Sequence, residues 1–69
     1  MVVIYGKDHC PYTTAARDHY AGRGIDVEYV NVKADKSALT RMLELSGGHR
    51  KVPVIVEDGG KVTIGFGGT

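Results

Sequence analysis

Hydrophobic and polar positions alternate between two periods along this chain, and the changes of period mark its elements. "VVIY", Val2 to Tyr5, is a continuous apolar run rich in β-branched residues and ended by Gly6, which predicts a strand covered on both faces. From Pro11 the period changes. Tyr12, Ala15, Ala16, His19 and Tyr20 recur at helical spacing, Arg17 and Asp18 point away, and Gly22 and Gly24 close the segment, which predicts an amphipathic helix. "VEYVNV", Val27 to Val32, reads as a second strand. Asp35 then stands where an N-cap is needed for a helix bearing Ala38, Leu39, Met42, Leu43 and Leu45, with Lys36, Arg41 and Glu44 outward and Ser46 to Gly48 as its stop. "VPVIVE", Val52 to Glu57, predicts a third strand, "DGG" a hairpin turn, and "KVTI", Lys61 to Ile64, a fourth.

The resulting order is βαβαββ. Strands alternating with helices imply a parallel pair joined by a right-handed crossover, and the final hairpin adds antiparallel strands to the same sheet. The fold class expected is therefore α/β with a mixed four-stranded sheet, in one domain spanning residues 1–69. "GFGGT" at the end has no helical period.

Length and charge narrow the function. A chain of 69 residues is one small domain with a modest core. Nine Lys+Arg against eight Asp+Glu leave a net charge of +1, which argues against nucleic-acid or polybasic membrane binding. No apolar run is long enough for a membrane span or a signal peptide, so a cytoplasmic location is expected. The single cysteine, Cys10, cannot form an internal disulfide, and is either a buried small hydrophobe or a reagent.

Its place favours the reagent. Cys10 ends the polar loop Lys7, Asp8, His9 and precedes Pro11, and proline is favoured at the first helical position, so Cys10 becomes the N-cap. A thiolate there meets the positive end of the helix dipole, the amides of Tyr12 and Thr13 and the Thr13 hydroxyl, with Lys7 adding a nearby positive charge; each lowers the thiol pKa. His9 beside Cys10 is not a chelating pair, and no zinc spacing is present, so no metal site is expected. His19 is expected on the inner face of the helix, and Tyr12 either borders a substrate groove or packs in the first turn.

"CPYT" at a helix start after a first strand, "GGHRKVPVIV" downstream and a terminal Gly-Gly together resemble a glutaredoxin, a small member of the thioredoxin fold. The resemblance runs from Val2 to Thr69. It implies a cis peptide bond between Val52 and Pro53, facing the reactive sulfur across a groove. A proline donates no ladder hydrogen bond and belongs at a strand start, where Val52 can pair with an extended thiol peptide. It further implies glutathione as co-substrate with no tightly bound cofactor. Lys7, His49, Arg50 and Lys51 would meet its glycine end, and the amides of Gly67 and Gly68 its γ-glutamyl carboxylate, with Tyr12 bordering the groove. Partners implied are glutathione and glutathionylated or disulfide-containing proteins, met by a monomer.

Three departures from the family pattern matter. Thr13 occupies the site of the second cysteine of a dithiol glutaredoxin, so Cys10 has no internal resolving partner and a monothiol route through glutathione remains. The acidic residue and final helix that usually follow Gly-Gly are absent from the sequence given, and Gly65-Phe66 resembles the small redoxins that supply ribonucleotide reductase and are reduced by thioredoxin reductase. Finally, some bacterial relatives carry selenocysteine at the nucleophile position, for which Cys10 would be the cysteine form. The rival reading from another class is an iron-sulfur carrier in which two Cys10 thiolates and two glutathione thiols hold a cluster; against it, cluster-carrying members show Cys-Gly-Phe-Ser where this chain has Cys10 to Thr13.

Overall fold

In the computed structural model, which describes residues 1–68, the elements follow the order read from the sequence. They are β1 (Val2–Gly6), α1 (Pro11–Ala21), β2 (Val27–Asn31), α2 (Lys36–Ser46), β3 (Val54–Val56) and β4 (Val62–Ile64). Thr69, where the resemblance ends, lies outside the described residues.

The four strands form one sheet in the order β2-β1-β3-β4. β1 pairs parallel with β2, Ile4 opposite Tyr29, and antiparallel with β3, Tyr5 opposite Val54. β3 and β4 form the terminal hairpin. This is the mixed sheet that the βαβαββ pattern implies.

Side-chain alternation along the two central strands sends neighbours to opposite faces. Val2, Ile4 and Ile55 join Ala16 of α1, with Tyr20, Val27 and Phe66 packed around them. Val54 joins Val32 and the α2 residues Ala38 and Met42, with Tyr5, Leu39 and Val52 against them. The two helices therefore cover opposite faces, and β1 is buried between them.

Two expectations are corrected. The inner face of α1 consists of Thr13, Ala16 and half-buried Tyr20, while Ala15 and His19 are exposed. The reason lies in β1: α1 approaches so closely at Gly6 that a Cβ there would overlap the Thr13 methyl and stand 2.6 Å from its Oγ1. This contact sets the helical phase: Thr13, Ala16 and Tyr20, at i, i+3 and i+7, face the sheet, and Ala15 and His19 fall outside that stripe. His19 instead rests its ring on Tyr20 and Phe66, with centroids 5.0 and 5.3 Å away. The second correction concerns β3, which begins at Val54 rather than Val52. Pro53 has no N–H to give to a ladder, so pairing starts only after it.

Candidate active site

The site grows from the end of β1. After Gly6 the chain turns through Lys7, Asp8 and His9, and Cys10 takes an extended conformation as the N-cap of α1, with Pro11 at the first helical position. Its carbonyl accepts the first helical hydrogen bond, from the Thr14 N–H at 3.0 Å. His9 adopts φ +63°, in the left-handed region, which costs a side-chain-bearing residue roughly 1–2 kcal/mol. Just before it, Asp8 is pinned to the edge strand by the Tyr29 hydroxyl, which donates to its carboxylate at 2.7 Å. The Arg17 guanidinium lies 4.1 Å from the centre of the Tyr29 ring. Burial, then the hydrogen bond to Asp8 and its negative charge, push the Tyr29 phenol up to about 12, so it remains a donor throughout the physiological range. Sequence reasoning missed this clamp, because only the parallel register of β1 and β2 brings Tyr29 beside the loop.

Cys10 is a free thiol and only 7% exposed. Burial pushes its pKa up; the Thr13 hydroxyl, the amides of Thr13 and Tyr12 and the charge of Lys7 together outweigh that, and the thiol lies below its ordinary value. The neutral sulfur makes no capping hydrogen bond of standard geometry. Thr13 Oγ1 is likewise buried, without a hydrogen-bond partner among the described residues. The donors around the sulfur are thus arranged for an acceptor stronger than a thiol, which the thiolate provides.

The antiparallel pairing of β1 and β3 brings the chain leaving β1 and the chain entering β3 to the same end of the sheet. That end carries Cys10 on one side and Val52-Pro53 on the other, and the Val52-Pro53 bond is cis. Pro53 is buried, and its carbonyl accepts from the Gly65 N–H at 2.7 Å, tying the tail to this turn. Lys7, Arg50 and Val52 meet in one cavity of about 250 Å³. Tyr12 is 41% exposed and faces the tail: a Cβ on Gly67 would stand 3.8 Å from its ring. Gly67 and Gly68 are exposed with φ of +66° and +109°, conformations that turn their amides as other residues rarely can.

Two predicted residues stand apart. His49 is occupied locally, its Nδ1 donating to the Ser46 carbonyl at 2.8 Å while the Ser46 hydroxyl donates back to the His49 carbonyl at 2.8 Å. Lys51 is exposed and outside the cavity. Among the described residues no group of three or more His, Cys, Asp or Glu converges to hold a metal. No helix among them is long and apolar enough to cross a membrane.

A mixed sheet between two helices, a cysteine at the first helix start and a cis-proline entering the third strand define a glutaredoxin-like thiol oxidoreductase fold. The glutaredoxin family model matches residues 2–62, and the chain belongs to the glutaredoxin family. Among solved structures it is similar to the glutaredoxin of Archaeoglobus fulgidus (TM-score 0.82, 24% identity, covering 96% of this chain and 75% of that one). It is also similar to the glutaredoxin-like NrdH-redoxin of Escherichia coli, described as having a thioredoxin-like activity profile (TM-score 0.79, 27% identity, 96% and 83%). Wheat glutaredoxin shares the fold (TM-score 0.75, 21% identity, 93% and 60%). No curated protein sequence matches significantly.

Proposed function

We propose that this protein is a monothiol-acting thiol-disulfide oxidoreductase that uses glutathione as co-substrate. The observation that carries this reading is the sulfur's setting: the only thiol of the chain, held at a helix start with its pKa lowered, and Thr13 where a resolving cysteine would stand. The Cys10 thiolate attacks the glutathione sulfur of a glutathionylated substrate, and the substrate leaves as its thiolate and takes up a proton. Cys10 then carries glutathione as a mixed disulfide. A second glutathione thiolate attacks that glutathione sulfur, releasing oxidised glutathione and the Cys10 thiolate. Both electrons thus come from glutathione.

Lys7 and Arg50, which share a cavity with Val52, are suited to the glycine carboxylate, and the Val52 backbone to the cysteinyl residue as an added strand. The turned amides of Gly67 and Gly68 suit the γ-glutamyl carboxylate. His49 and Lys51 have weaker claims, given where they lie. We place the activity in the cytoplasm, where glutathione keeps thiols reduced.

A second reading has its own support: the similarity to an NrdH-redoxin together with Gly65-Phe66 favours a small redoxin reduced by thioredoxin reductase. One experiment separates them. Reduced protein treated with oxidised glutathione should gain one glutathione on Cys10, and added glutathione should remove it. No adduct, or an adduct that only NADPH with thioredoxin reductase removes, refutes the glutathione route.

A further inference from the structure

The cavity beside the site reaches beyond the residues already assigned. Lys33 stands at its mouth with Lys7 and Arg50, and Val32, Leu39 and Met42 form its floor. The backbone brings two of these cations, Lys7 and Lys33, to the same end of the sheet. The Val32 N–H donates to the Gly6 carbonyl at 2.9 Å, so the next residue of each strand, Lys33 and Lys7, leaves the sheet side by side. Lys33 is fixed in turn by its own N–H, which donates to Asn31 Oδ1 at 2.9 Å. None of the three cations forms an ion pair among the described residues. The nearest carboxylate in sequence, Asp35, is turned onto the amides of Ser37 and Ala38. The floor is hydrocarbon, with Met42 fully buried and Leu39 half-buried.

We propose that this groove also serves protein disulfides that Cys10 attacks directly, docking the polypeptide that flanks the attacked sulfur where glutathione lies in the route above, and selecting an acidic segment that carries one apolar side chain. The proposal rests on Cys10 being the nucleophile. Three unpaired positive charges call for carboxylates, and an apolar floor calls for a side chain that glutathione lacks. A protein substrate supplies both. Lys33 is then the residue that distinguishes protein substrates from one another, outside the set that would hold glutathione.

The test uses two peptides, each with one cysteine held as a mixed disulfide with a chromogenic thiol. They are identical except that the cysteine is flanked by Glu-Leu-Glu in one and Lys-Leu-Lys in the other. Cys10 thiolate attacks the peptide sulfur, the S–S bond breaks, and the chromogenic thiolate leaves, so no other reductant is needed. Reduced wild-type protein should react about tenfold faster with the acidic peptide at low salt, and added salt should shrink that ratio. Lys33→Glu should bring the ratio to about one or below. Lys36→Glu changes the net charge equally from an exposed position outside the groove, and should keep most of the preference. Taking ratios within each variant cancels any change in folding or thiol reactivity. Equal rates for the two peptides in wild type, or an equal loss of preference in both variants, overturns the proposal. Failure of the Cys10 reading looks different: neither peptide releases its chromogenic thiol. In that case fluorescence anisotropy with serine versions of the peptides reads the groove alone, the same preference supporting it and equal affinities overturning it.

Discussion

The two helices are each eleven residues long and begin in opposite ways. At α2 the Asp35 carboxylate accepts from the Ser37 and Ala38 amides at 2.9 and 3.4 Å, a cap worth about 1 kcal/mol. At α1 a thiol occupies the same position, makes no capping hydrogen bond of standard geometry, and leaves a buried hydroxyl beside it without a partner among the described residues. One helix start is used for stability. The other lacks such a cap, and on the proposed function its free donors await the charge that appears when Cys10 ionises, at some cost in stability.

Making the two starts alike should produce the largest effect. Cys10→Asp gives α1 the cap that α2 has. Disulfide exchange should fall on the order of 10³-fold or more, while the domain gains about 1 kcal/mol, or about 5 °C in Tm. Activity assays and thermal unfolding of the same sample read both; retained exchange, or no gain in Tm, breaks the comparison. Cys10→Ser should lose the same activity with a smaller gain.

The helices differ also in how closely they approach the sheet. α1 touches β1 through Gly6 and Thr13, with no room for a Cβ between them, whereas α2 presents Met42 and half-buried Leu39 and Leu43 to the other face. Gly6→Ala should therefore cost about 2 kcal/mol, and Thr13→Ala in the same chain should recover part of it. Denaturant unfolding of the single and double variants measures the coupling; additive effects would mean that Gly6 has some other role. At α2, Asp35→Ala should cost about 1 kcal/mol and leave the rate of Cys10 alkylation as it was.

The same asymmetry explains what was legible in the sequence. Element order, the Asp35 cap, the N-cap place of Cys10 and the sheet's mixed pairing all follow from period, punctuation and short-range chemistry. The α2 face was readable because its large apolar residues mark it. The α1 face was readable only in part: Ala16 and Tyr20 do face the sheet, but the closest packing also selects Gly6 and Thr13, which carry little hydrophobic signal, while Tyr12 and His19 are exposed. The clamp of Asp8 by Tyr29 and the meeting of Lys7 with Lys33 depend on strand register, and no local pattern encodes it. His49 shows the converse: its position in the family pattern suggested a ligand contact, but its ring bonds the Ser46 carbonyl at the stop of α2.

The smallest expected effect concerns Thr13 and tests why its hydroxyl is left unpartnered. Thr13→Val keeps the shape packed against Gly6 and removes only the polar atom. If that hydroxyl serves the thiolate, its loss should raise the Cys10 pKa towards the ordinary thiol value, and the midpoint of alkylation rate against pH should move up. Stability should follow with a definite sign. A thiol whose pKa is depressed by folding contributes stability that is present above the unfolded pKa and is lost as pH falls through the folded one. Below both, the wild-type hydroxyl is only an uncompensated buried group, and the valine variant should be equal or more stable by about 1 kcal/mol. As pH rises through the thiol range the wild type should gain more than the variant, so the advantage narrows. Parallel stability profiles would show that Thr13 packs the helix without touching the charge, and the open start of α1 would then rest on the amides and Lys7 alone.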